Sequence, residues 1–140
     1  MSENSTTKRK TLSCLIVARN EQAMLPDCLK SLRFADQIVV VLDRTTDESK
    51  AIAHQAGALI IEGSWPSEGE RRNTGIQACT SDWILEVDAD ERATESVAQE
   101  VTDLIQSSPD GLYLIPIRNM IGDREVRYGW GAYNGAASST

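Results

Sequence analysis

Residues 38–61 read IVVVLDRTTDESKAIAHQAGALII, and the fold turns on how that stretch is parsed. Ile38 to Leu42 is apolar and mostly β-branched, the composition of a strand covered on both faces. Asp43-Arg44-Thr45-Thr46-Asp47 then forms a polar turn into a helix over roughly Glu48 to Ala56, closed by Gly57. Leu59 to Ile61 follows as a second apolar run. Strand, helix and strand with short connections make a βαβ unit, whose two strands lie parallel and whose crossover is right-handed.

The alternation extends both ways. Upstream, Leu12 to Val17 reads as a buried strand ending at Arg19-Asn20-Glu21. After it, Met24, Leu25, Cys28, Leu29 and Leu32 fall at helical spacing, with Pro26 suited to the first turn. Downstream, a loop with Gly63, Pro66 and Gly69 leads into a helix through Ile76 and Ala78. Trp83 to Val87 is then a strand with Asp88-Ala89-Asp90-Glu91 at its carboxyl end. Val97, Val101, Leu104 and Ile105 mark another helix, Leu112 to Ile117 a fifth strand, and from Arg118 the chain is Gly-rich with little periodicity. The pattern predicts an α/β fold, a three-layer α/β/α sandwich around a mainly parallel sheet. It divides the chain into a flexible arm over 1–10, a domain over 11–117 and a Gly-rich tail over 118–140. Ligands of such sheets bind outside the carboxyl ends of the strands. Arg19-Asn20-Glu21, Asp43-Arg44 and Asp88-Ala89-Asp90 all fall there.

Composition narrows the function. The 140 residues hold 14 Lys plus Arg against 21 Asp plus Glu, a formal net charge of −7. A chain of this length buries roughly two thirds of its unfolded surface, enough for one core. Its acidity repels a phosphate backbone and argues against nucleic-acid binding. A phosphorylated ligand would need a divalent metal or a local arginine cluster to screen it. Cys14, Cys28 and Cys79 make no CxxC pair and read as reduced thiols of a cytoplasmic protein. Lys8-Arg9-Lys10 precedes an apolar run, Thr11 to Ala18, that is too short to span a membrane.

Asp88 and Asp90 are the sharpest candidates. In an extended segment residues two apart point the same way, so two carboxylates could converge on a hard cation such as Mg²⁺ or Mn²⁺. An acidic turn capping the next helix explains them equally well. Asp43 reads as a turn residue or as an acceptor for a ligand N–H. Arg71-Arg72-Asn73, with Gly75 behind them, form a cationic spot that is either a phosphate site or a solvated helix face. His54, the sole histidine, is far from these clusters.

Taken in order, LSCLIVARNE, IVVVLDRTTDES and EGERRNTGIQACTSDWILEVDADE resemble the nucleotide-sugar-binding half of a family 2 glycosyltransferase with the Rossmann-like GT-A fold. The nearest branch is that of lipopolysaccharide core glucosyltransferases, and the resemblance covers about Thr11 to Ile117. It implies that Ala18, Arg19 and Glu21 line the nucleotide and that Asp43 contacts the base. It also implies that Arg72 and Asn73 form the basic–Asn pair, that Asp88 approaches the ribose and that Asp90 binds the metal bridging the diphosphate. Leu42 and Arg44 depart from the commoner DDGSTD pattern. The implied activity is inverting, metal-dependent transfer of a sugar from a nucleotide-diphosphate sugar, UDP-linked, to a cell-envelope glycan or lipid acceptor. The setting is cytoplasmic at the inner face of the membrane, with at most peripheral contact. The base that deprotonates the acceptor comes in the family from a later segment, beyond residue 140, since Asp123 and Glu125 match no motif. A donor-binding module without turnover is the alternative, and a structural domain whose DADE is only a cap is the third.

Overall fold

The computed structural model describes residues 8–116, 119–121, 124–126 and 134–139. Four strands, β1 (Leu12–Ala18), β2 (Gln37–Asp43), β3 (Leu59–Gly63) and β4 (Trp83–Asp88), pair in parallel in the order β3-β2-β1-β4. Between them run α1 (Leu25–Ser31), α2 (Ser49–Gln55) and α3 (Glu68–Ala78), and α4 (Glu95–Ser107) follows β4. These are the elements the hydrophobic spacing predicts. Pro26 lies in the first turn of α1, and Gly57 ends α2 at φ +77°, a conformation that suits glycine.

The two faces of the sheet are covered unequally. Cys14, Ile16, Val40, Leu42, Trp83 and Leu85 point to one side and pack with Leu25, Cys28 and Leu29 of α1, Ala53 of α2, and Val101 and Ile105 of α4. Leu15, Val39, Val41 and Ile84 point to the other, where Ala78 at the end of α3 and Trp65 in the preceding loop pack on them. Helix α3 carries few apolar residues and lies on the sheet through Gly75, which is buried. A Cβ at that position would come within 2.5 Å of Leu15 Cδ1 and 2.9 Å of Val41 Cγ2. The glycine is therefore needed for close approach.

The region after Ile117 departs from the reading of an aperiodic tail. β5 (Leu112–Pro116) does not pair with β4; β8 (Asn134–Ser139) lies between them, antiparallel to both. β6 (Asn119–Ile121) and β7 (Arg124–Val126) form a separate antiparallel pair. Strand β8 is NGAASS, small residues without alternation or β-branching, so neither periodicity nor propensity marks it. Asp123 and the side chain of Glu125 lie outside the described residues, as do residues 1–7 of the amino-terminal arm. The rest of that arm is tied down: Lys10 N–H donates to Gln106 Oε1 at 3.0 Å, and Gln106 Nε2 donates to the Lys10 carbonyl at 2.9 Å. No helix among the described residues is long and apolar enough to cross a membrane.

The close approach at Gly75 gives a stability test. Gly75→Val should destabilise the fold by about 2 kcal/mol through overpacking against Leu15 and Val41. Gly69→Ala, in the same helix but with nothing within 4 Å of its Cβ position, should be neutral or stabilising by up to about 1 kcal/mol. Urea unfolding of the two variants compares them directly.

Candidate functional site

From β1 the chain builds β2 and β3 on one side and then crosses to build β4 on the other. The strand order therefore reverses between β1 and β4, the place at the carboxyl ends of the strands where such sheets bind ligands. A polar cleft of about 280 Å³ lies there, lined by Val17, Ala18, Arg19 and Glu21 from the end of β1, Asp88, Ala89 and Asp90 from the end of β4, and Arg71 from α3. A narrower depression of about 70 Å³ shares Arg71 and Asp88 and adds Glu68, Arg72 and Glu86.

The loop after β1 is latched to the loop after β2. Asn20 adopts φ +52°, where asparagine is among the few side chains tolerated. Its Oδ1 accepts the N–H groups of Thr46 at 2.8 Å and Asp47 at 3.2 Å. Glu21 N–H donates to Ser49 Oγ at 3.2 Å and Gln22 N–H to Asp47 Oδ2 at 3.0 Å. These bonds fix the course of the chain through Ala18, Arg19 and Glu21. Asn20 is thus a positioning residue that sequence reasoning passed over, although a lone Asn between a strand and a helix is a common left-handed turn residue.

The acidic segment is not extended, contrary to the sequence expectation. β4 ends at Asp88, and Asp88 to Glu91 forms a turn in which the Glu91 N–H donates to the Asp88 carbonyl at 2.9 Å. The Glu91 carboxylate accepts the Asp88 N–H in return at 2.8 Å. Ala89 is buried in the core while Asp88 and Asp90 are exposed to the cleft. Burial, and then repulsion from Asp88 and Asp90, pushes the half-buried Glu91 carboxyl above its usual range. Beneath the turn, the Cys28 thiol donates to the Asp88 carbonyl at 3.5 Å; burial, reinforced by Glu91, Asp90 and Asp88, raises it to about 12, so it stays protonated. The cap of α4 is Thr94, whose hydroxyl accepts the Val97 N–H at 3.1 Å. Asp88 and Asp90 do not cap that helix.

Asp88 and Asp90 offer hard oxygen donors of the kind that hold Mg²⁺ or Mn²⁺. Among the described residues no three acidic, histidine or cysteine side chains gather into a self-sufficient cage. A cation held at Asp88 and Asp90 would thus complete its shell with water or ligand oxygens, which fits a Mg²⁺-type site.

Asp43, at the end of β2, is 1% exposed. Arg44 grips it with both arms of its fork, Nε to Oδ1 at 3.0 Å and Nη2 to Oδ2 at 3.1 Å. Arg71 Nη1 adds a bond to Oδ2 at 2.8 Å. The Arg44 and Arg71 bonds outweigh burial and lower the carboxyl from an ordinary value near 3.8 to about 2. Arg71 is the α3 cation that lines the larger cleft. Arg72, one position on, turns away to Glu86 at 3.1 Å and Glu68 at 3.8 Å. Asn73 is exposed and lines neither depression.

Sheet order and cleft define an α/β ligand-binding domain with its site at the switch point. The Glycosyl transferase family 2 pattern matches residues 13–134. The chain belongs to that family, and its fold is GT-A. A glycosyltransferase of Rickettsia felis is 31% identical over 104 residues, covering 74% of this chain and 37% of its own length. The lipopolysaccharide core biosynthesis glycosyltransferase LpsC of Rhizobium meliloti is 26% identical over 108 residues, covering 71% of this chain and 38% of its own. The chain thus spans less than two fifths of these relatives. Glucosyl-3-phosphoglycerate synthase from Mycobacterium tuberculosis, solved with Mn²⁺, uridine diphosphate and glucosyl-3-phosphoglycerate, superimposes with a TM-score of 0.59 at 19% identity, over 74% of this chain and 42% of the other.

The ionised Asp43 contributes stability that is present above its unfolded value near 3.8 and is lost as pH falls toward about 2,. Acid unfolding between pH 4 and 2 should therefore be shallower in Asp43→Asn than in the parent chain. Circular dichroism against pH reads this, and parallel curves would contradict the buried, doubly paired carboxylate.

Proposed function

We propose that the chain is the donor-binding half of a metal-dependent, inverting glycosyltransferase that holds a UDP-linked sugar for transfer to a cell-envelope glycan or lipid acceptor. The observation that carries this reading is the convergence of Arg19, Arg71, Asp88 and Asp90 on one cleft at the switch point of the sheet. The family supports the reaction class, the name of the Rhizobium relative supports a lipopolysaccharide-type acceptor, and the Mycobacterium enzyme's ligands support uridine diphosphate and Mn²⁺.

Ala18, Arg19 and Glu21 would form the wall along which the nucleotide lies, fixed by the Asn20 latch. Asp88 would face the ribose and, with Asp90, hold the divalent cation. When bound, that cation would supply charge neutralisation at the diphosphate. Arg19 and Arg71 supply fixed positive charge in a crevice that screens it less than bulk water would. Transfer with inversion needs a base at the acceptor hydroxyl, and none of the residues lining the cleft is assigned to it. We place this work on the cytoplasmic side, at the inner face of the membrane, where a cell-envelope acceptor would be met.

Calorimetry with UDP tests this reading. Binding should require Mn²⁺, and Asp90→Ala should reduce it to the level seen with a chelator present. Binding that is equally strong with chelator, or unchanged in Asp90→Ala, would overturn the metal site.

A further inference from the structure

We propose, on the donor-site reading above, that Asn20 and Asp47 close a clasp between the loops after β1 and β2. This clasp, which the donor itself would not touch, holds Arg19 and Glu21 in the conformation that binds the donor.

Arg19 and Glu21 line the cleft, whereas the Asn20 between them does not, and neither does any residue of 45–49. Segment 19–22 lies between the end of β1 at Ala18 and the start of α1 at Leu25, so neither sheet nor helix ladders set its course. Its backbone is held from two directions. On one side the Glu21 carbonyl accepts the Met24 and Leu25 N–H groups at 3.1 and 2.9 Å. On the other, successive N–H groups donate across to the second loop. Asn20 donates to Thr45 Oγ1 at 3.3 Å, Glu21 to Ser49 Oγ at 3.2 Å and Gln22 to Asp47 Oδ2 at 3.0 Å.

Bonds also run back. Asn20 Oδ1 accepts the Thr46 and Asp47 N–H groups at 2.8 and 3.2 Å, and Gln22 Oε1 accepts that of Glu48 at 3.0 Å. Each loop thus satisfies backbone donors of the other, a reciprocity that a helix cap, which serves its own helix, does not need. The second loop is the firmer partner. Arg44 N–H donates to the Gly63 carbonyl at 2.8 Å, and Ser49 is buried. Asp47 Oδ1 accepts the Ser49 N–H at 2.9 Å while Oδ2 reaches Gln22, so one carboxylate joins the two loops.

Asn20 holds its place through φ +52°, a backbone conformation that most side chains avoid. Asn20 and Gln22 are exposed, so water competes for these bonds and the clasp opens more readily than the core. Opening would leave the fold intact but release Arg19 and Glu21. Apparent donor affinity then scales with the fraction of molecules in which that wall is in place.

UDP binding with Mn²⁺, measured by calorimetry on the 140-residue chain, tests the clasp, with circular dichroism and urea unfolding run on every variant. Asn20→Gly keeps the left-handed backbone and removes the acceptor; Asp47→Ala removes the bridge. Each should weaken UDP on the order of tenfold, and the double variant should be no weaker than the weaker single one, because either change opens the same clasp. Asn20→Asp keeps both the acceptor and the backbone conformation and should bind within about threefold of the parent. Asp82→Ala is the control at the opposite ends of the strands. It removes bonds from the Thr11 N–H at 2.9 Å and hydroxyl at 3.1 Å, and should lower stability with UDP affinity unchanged. The proposal is overturned if Asn20→Gly and Asp47→Ala bind UDP as the parent does, or if their losses add. It is equally overturned if Asn20→Asp binds no better than Asn20→Gly, or if Asp82→Ala weakens UDP as much as they do. Should Asn20→Gly or Asp47→Ala fail to fold, the other decides alone. A parent chain that does not bind UDP overturns the donor-site reading and this proposal together, whereas a parent that binds, with variants that bind equally well, overturns this one only.

Discussion

Strand β1 has parallel partners on both sides, and the rest of the molecule follows from that constraint. Val17 pairs with Val41 on one side and with Asp88 on the other. The strand order reverses between β1 and β4, so the carboxyl ends of these two strands meet at the switch point of the sheet,. Each strand bordering the switch point ends in polar residues, because its last backbone groups pass from the sheet into solvent. A chain rich in acid would repel an anionic ligand from such a crevice. It is the placement of Arg19 and Arg71 there, more than overall charge, that makes the rim receptive.

The electrostatics of the rim are layered. Cys28, kept protonated by burial, supports the acidic turn from below without adding charge to it. Glu91 takes up the Asp88 N–H and so ties the turn to the end of β4. Asp88 and Asp90 are left facing the cleft. On the other wall, Asp43 is sunk beneath Arg44 and Arg71, its charge spent on holding two cations in place. Acidic residues thus take two positions within a few strands: one pair lines the cleft, and one residue organises protein cations.

Much of this was legible in the residues. The parallel core could be read because IVVVL, LIVA and WILEV are buried on both faces and carry continuous apolar runs, and the polar clusters at strand ends located the rim. Three features were not legible. β8 is built from glycine, alanine and serine and is recruited by β4 and β5, a tertiary effect without local propensity. The Asp88–Glu91 turn depends on a side-chain bond from Glu91 that alternation does not encode. The pairing of Arg71 with Asp43 and of Arg72 with Glu86 depends on tertiary neighbours, and α3 lacks the apolar stripe that would reveal its buried face; the signal for that face was Gly75, whose lack of a side chain lets the helix lie against the sheet.

On the proposed function, a metal and a nucleotide meet in the crevice between β1 and β4. Paramagnetic broadening of backbone amide resonances by Mn²⁺, in the presence of UDP, measures this most directly. Broadening should be strongest over Val17 to Glu21 and Asp88 to Glu91, and His54 on α2 should be spared. Broadening centred on another acidic surface, such as Asp103 on α4, with the rim unaffected, would contradict it.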